Sequence, residues 1–110
     1  MHKAEEYTYR VFWSEDDGEF VATVAEFPLL SYVAPSQMKA LSGIVEVVAA
    51  ALEVYAEDGR GAPVPLGLAE YSGRLNLRMP PELHREIAMQ ASEQHISINR
   101  FINSKLAMRG

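Results

Sequence analysis

Residues 73–79 read GRLNLRM, and their alternation is strict: Arg74, Asn76 and Arg78 fall on one side of an extended chain, and Leu75, Leu77 and Met79 on the other. Pro80 and Pro81 stop such a strand because proline donates no ladder hydrogen bond, whereas in a first helical turn the missing donor had no partner anyway. A helix is expected to begin at once. Leu83, Ile87, Ala88 and Ala91 recur at spacings of three and four, with Glu82, Arg85, Glu86 and Gln90 on the opposite face. The pattern breaks at Gln94-His95. Ser97 is then a suitable N-cap for a second helix, whose apolar stripe is Ile98, Phe101, Ile102 and Leu106 and whose polar face holds Asn99, Arg100, Asn103 and Lys105.

A lone strand ahead of two short helices leaves its backbone ladder groups without partners, and an isolated strand of this length is unstable. A second copy of the chain resolves this. Two copies pairing antiparallel through Leu75, Leu77 and Met79 satisfy the ladder and bury the apolar faces of both strands under four helices. The outer face then presents Arg74, Asn76 and Arg78 from each protomer on a two-stranded ribbon that fits the DNA major groove, where Arg pairs with guanine and Asn with adenine in bidentate fashion. The competing view is an edge strand that merely shows Arg and Asn to water. The two helices at the observed spacing favour the ribbon.

With these letters in place, the segment resembles the ribbon-helix-helix DNA-binding fold, in the RLNLRMPPELH form carried at the C-terminus of many HicB-type antitoxins. The resemblance covers about a third of the chain. It implies base contacts from Arg74, Asn76 and Arg78, a dimer core of Leu75, Leu77 and Met79, and DNA phosphate contacts from Ser97, Ile98 and Asn99. Free backbone donors and the helix dipole at the start of a helix favour an anion there.

Charge divides the chain in the same place. The overall net charge of −5 conceals a segment 1–70 with four basic and twelve acidic residues, net −8. Residues 71–110 hold six basic residues, Arg109 among them, against three acidic, net +3. A basic module suits a polyanion, and an acidic one attracts a cationic protein. We therefore expect two domains, 1–70 and 71–110. Absence of cysteine excludes a disulfide framework, a thiol nucleophile and a thiolate metal site. No apolar run is long enough for a membrane helix, and the MHKAEEY start lacks a signal-peptide core, so a cytoplasmic protein is expected.

In the acidic segment, Tyr7 to Trp13 and Glu19 to Ala25 read as a hairpin around Glu15-Asp16-Asp17-Gly18, and Leu30 to Val33 reads as a third strand. Ser36 caps a helix with a stripe of Leu41, Ile44, Val45, Val48, Leu52 and Tyr55, reaching about Glu57. Gly61 to Gly67 cannot be helical and is expected to run extended at an edge before a linker near Tyr71-Ser72-Gly73. The fold class is α+β, a three-to-four-stranded antiparallel sheet with one long helix, followed by a dimeric helical module. The order YTYRVFWSEDDGEFVATVAEFPLL, the helix after Ser36 and the closing Pro63-Val64-Pro65 resemble the HicB N-terminal domain, a partial RNase H-like fold. The chain departs from that family at Ala34-Pro35-Ser36, usually a Gly and a Thr, and at Ala25-Glu26, often Pro-Glu.

No residue set reads as an active site. Glu15, Asp16, Asp17 and Glu19 sit on one turn and do not converge as metal ligands must. His2, His84 and His95 lack zinc-helix spacing, and His84 reads as a helix-surface residue. The serines have no nucleophile-elbow context, and Gly59 to Gly67 has no following Lys-Ser/Thr. No cofactor, metal or catalytic residue is expected. The resemblance implies an antitoxin that caps a HicA-like basic, mRNA-cleaving toxin with residues 1–67 and represses its own operon as a homodimer or dimer of dimers. An orphan ribbon-helix-helix regulator is the alternative, and an RNase H-like nuclease the lesser one.

Overall fold

The structure is a computed structural model and describes residues 2–108; Arg109 lies outside the described residues. The chain divides into two compact units, one running to Tyr71 and one starting at Ser72.

Unit 1 is a three-stranded antiparallel sheet in the order β1 (Tyr9–Ser14), β2 (Glu19–Val24), β3 (Ser31–Ala34), with helix α1 (Gln37–Glu57) packed on one face and a short 3-10 turn (Ala4–Glu6) before it. Gly18 closes the β1–β2 hairpin in the left-handed region at φ +63°, its N–H donating to the Ser14 carbonyl at 2.8 Å. Alternation sends Tyr9, Val11, Phe20, Ala22, Val24 and Ala34 toward α1, and sends Phe12, Val21 and Val33, paired across the strands, to the uncovered face. Ser36 caps α1 by accepting from the Lys39 N–H at 3.2 Å. Ile44, Val48 and Leu52 bury against the sheet, each contributing about 1.5–3 kcal/mol.

The buried face of α1 is rotated from the expected stripe. Ala40 and Gly43 are buried, whereas Leu41 is 43% exposed. Contact at close range is the cause: the Tyr32 ring lies where a Cβ on Gly43 would be, so only glycine lets β3 and α1 approach this far. Gly43→Ala is expected to displace that ring and destabilise unit 1 by about 1–3 kcal/mol, read as a lowered denaturation midpoint.

Three strands form, the lower end of the expected three to four, and residues 61–67, expected to run extended at an edge, add no further strand among the described residues. Pro63 and Pro65 supply no N–H, and the groups a ladder would use have other partners. The Pro63 carbonyl accepts from the Tyr7 hydroxyl at 2.6 Å, and the Leu66 N–H donates to Glu26 at 2.8 Å. Glu26 also receives the N–H and hydroxyl of Thr8 at 3.0 and 2.9 Å, so one carboxylate joins the entry to β1, the exit from β2 and the end of the unit.

Partial burial pushes the Glu26 carboxyl up, but the N–H groups of Leu66, Thr8 and Glu26 itself and the Thr8 hydroxyl outweigh it and hold the group below its ordinary value. Because the folded value is the depressed one, this stabilisation is complete above the ordinary value of 4.5 and is lost as pH falls through the folded value. Glu26→Gln, which removes the charge and keeps the shape, is expected to cost about 1–2 kcal/mol at neutral pH. The gap to the parent should narrow on acidification in thermal melts; a constant gap between neutral and acid pH would count against the carboxylate clasp.

Unit 2 contains α2 (Pro81–Glu93) and α3 (Ile98–Ala107), packed on each other through buried Ala91 and Phe101. Gln94 ends α2, and His95 turns the chain at φ +58°, a left-handed conformation more usual for glycine, with the Ile96 N–H returning to the Ala91 carbonyl at 3.0 Å. Ser97 caps α3 by accepting from the Arg100 N–H at 3.0 Å.

Candidate functional site

The stretch Arg74 to Met79 enters unit 2 through Gly73, at φ +80°, with the Arg74 N–H donating to the Ser72 hydroxyl at 3.1 Å. It is neither helix nor strand in the single chain, and the backbone of residues 75–79 makes no hydrogen bond among the described residues. Strand order requires a ladder, and among the described residues the segment has no neighbour with which to build one. Leu75 is 84% and Leu77 56% exposed, a large apolar presentation for a segment flanked by charge. Together with Met79, Ile98 and Ile102 they line an open groove of about 430 Å³.

Of the expected base-contacting residues, Arg74, Asn76 and Arg78 are all exposed. Arg78 lines the same groove as Leu75, Leu77 and Met79, so the clean division into two faces that alternation implies is not realised in the single chain. At the start of α3, the Ile98 and Asn99 N–H groups have no partner among the described residues, as expected for a first helical turn, and are available to an anion. The Ser97 oxygen is engaged as the cap, Ile98 is half-buried in the groove wall and Asn99 is exposed at its rim. Helical period puts His84 on the helix surface. It is exposed, but it also forms part of the groove wall, a position that alternation and helical period do not reveal.

At the other end of the chain the hairpin carboxylates are local in their contacts. Glu15 accepts from the Trp13 indole N–H at 2.7 Å, and the Asp17 N–H donates to the Ser14 hydroxyl at 3.3 Å. Among the described residues no group of three or more His, Cys, Asp or Glu side chains is arranged to hold a metal ion. No described helix is long and apolar enough to cross a membrane.

Comparison with known families bears on the segment that carries the groove. Residues 65–106 match the HicB family. The matched region begins at the buried Pro65 and spans the linker, the Arg74 to Met79 stretch and both C-terminal helices up to Leu106. The chain is therefore HicB-like over well under half of its length. Comparison with curated proteins and with solved structures returned no match.

Proposed function

We propose that the chain is the antitoxin of a toxin–antitoxin pair: a homodimer that reads operator DNA through its C-terminal ribbon and binds a HicA-like basic toxin through its acidic unit. The observation that carries this reading is the coincidence of the HicB match with a half-built structure, in which Leu75 and Leu77 stand exposed beside an unpaired backbone. A second copy supplies what is missing. Antiparallel pairing through residues 75–79 satisfies both backbones, buries Leu75, Leu77 and Met79 in a shared core, and turns Arg74, Asn76 and Arg78 outward together. The unpaired N–H groups of Ile98 and Asn99, with the Ser97 hydroxyl, then take a DNA phosphate on each flank.

The division of labour follows charge. Residues 71–110 at net +3 meet the phosphates, and residues 1–70 at net −8 meet a cationic protein. Light scattering of the purified chain, an anisotropy titration on the DNA upstream of its own operon, and co-purification with the product of the adjoining reading frame test the three parts separately. Dimers or dimers of dimers, salt-sensitive binding to that DNA and a basic partner are the expected results. DNA binding without any basic partner would leave an orphan regulator, and a monomer that ignores the DNA overturns the reading.

A further inference from the structure

Two of the apolar surfaces that unit 1 exposes differ in charge. On the open sheet face, Phe12 lies under the Arg10 guanidinium at 4.6 Å, which shields the ring and places a positive charge there. The second surface is a notch of about 280 Å³ between the β2–β3 loop and the C-terminal half of α1, walled by Phe27, Leu30, Ala51 and Tyr55. At its rim Leu29 is 96% exposed.

The loop that carries Leu29 is tied at several points. The Phe27 N–H donates to the Val24 carbonyl at 3.2 Å and the Leu30 N–H to the Phe27 carbonyl at 3.0 Å. The Phe27 ring is buried, 5.3 Å from Tyr7 and 6.1 Å from Tyr55. The Glu26 carboxylate immediately before it is held by Thr8 and Leu66. A leucine presented by so constrained a turn loses little conformational freedom when covered, which is the condition for an efficient anchor.

Charge identifies what covers it. After Lys39, α1 carries Glu46, Glu53 and Glu57 and no basic residue. Val54, 49% exposed, follows Ala51 by three residues and precedes Glu57 by three, so the apolar wall continues directly into an acidic flank. Glu53 and Glu57, four residues apart, form no ion pair among the described residues; the one ion pair there, at 3.1 Å, joins Asp58 to Arg60, whose guanidinium lies 4.5 Å over the Tyr55 ring and lines the neighbouring hollow with Leu52, Ala56 and Ala62, not the notch.

We infer that this notch is where unit 1 seats its cationic protein partner, with Leu29 and Val54 covered by an apolar residue of the partner and Glu53 and Glu57 facing its Lys or Arg side chains. The inference rests on the antitoxin reading and specifies the surface that reading leaves open. Complementary charge speeds the encounter, and the buried apolar contact slows release.

The test uses the full chain and the purified product of the adjoining reading frame. The parent chain should bind that protein, Leu29→Asp should weaken binding about tenfold or more, and Glu53→Lys with Glu57→Lys should slow association and flatten its salt dependence. Val33→Lys, on the open sheet face, serves as the contrasting variant and should bind as the parent does. Thermal melts and operator-DNA affinity of Leu29→Asp should match the parent, since this side chain is already in water. Parent binding with Leu29→Asp unimpaired, or lost in Val33→Lys alone, overturns the notch and leaves the antitoxin reading standing; a parent chain that binds no such protein sinks both.

Discussion

Leu77→Glu is expected to abolish operator binding and leave the C-terminal unit without a stable dimer, while unit 1 retains its cooperative melt. Leu77 is more than half exposed in the single chain, so the substitution places no charge in the protomer's own core. Its cost appears on assembly, where the carboxylate and its two-fold mate would be buried a few ångströms apart with no counter-charge from Leu75 or Met79. Removing the apolar contacts and adding unpaired charge together exceed the margin of a module in which Ala91 and Phe101 are the buried hydrophobics among the described residues. Light scattering should fall from dimer to monomer mass or below the next assembly step, and amide exchange in residues 81–107 should lose protection. Leu77→Ile, which keeps the apolar character, should restore both. A Leu77→Glu chain that remains dimeric and binds DNA would falsify the ribbon as the pairing element.

What was legible in the sequence is what local chemistry decides. Ser36 and Ser97 cap their helices by the interaction that their position before an apolar-periodic run implies, and the Asp17-Gly18 turn closes the hairpin through glycine's left-handed backbone. The α1 stripe was legible in period but not in rotation, because Gly43 and Ala40 face the sheet only by virtue of Tyr32 on another strand. Glu26 was invisible as an organising residue: its partners Thr8 and Leu66 lie 18 and 40 residues away, and nothing in the local pattern announces such a clasp. The same clasp and the Tyr7–Pro63 bond tie down residues 61–67, expected to run extended at an edge, without adding them to the sheet. The alternation of 73–79 is plain as letters, yet the segment is not a strand, since its backbone finds no ladder partner among the described residues. His84 reads from helical period as a surface residue, which it is, but its place in the groove wall depends on how α2 returns past that segment.

The triple variant Arg74→Ala, Asn76→Ala, Arg78→Ala is expected to reduce operator binding to the level of unrelated DNA while leaving the dimer intact. All three side chains are exposed in the protomer, and none makes a side-chain hydrogen bond or ion pair among the described residues, so their loss takes nothing from the fold. In a ribbon seated in the major groove each one meets a base edge, and each single replacement should cost about 1–3 kcal/mol and relax preference at one position of the half-site. Phosphate contacts respond differently. Asn99→Asp sets a negative charge at the unpaired N–H groups that begin α3, where a phosphate would sit, and should weaken binding to every sequence alike. The salt dependence separates the two classes: the triple variant loses two positive charges per protomer and so part of the slope, whereas Asn76→Ala alone changes selectivity with the slope unchanged. Because the proposed dimer doubles the +3 segment, binding should still fall steeply with salt despite the net charge of −5 on the whole chain. Anisotropy titrations of parent and variants on upstream and scrambled duplexes, each at two salt concentrations, decide the matter. If the triple variant discriminates between the duplexes as the parent does, Arg74, Asn76 and Arg78 are an edge facing water and the sequence is read elsewhere.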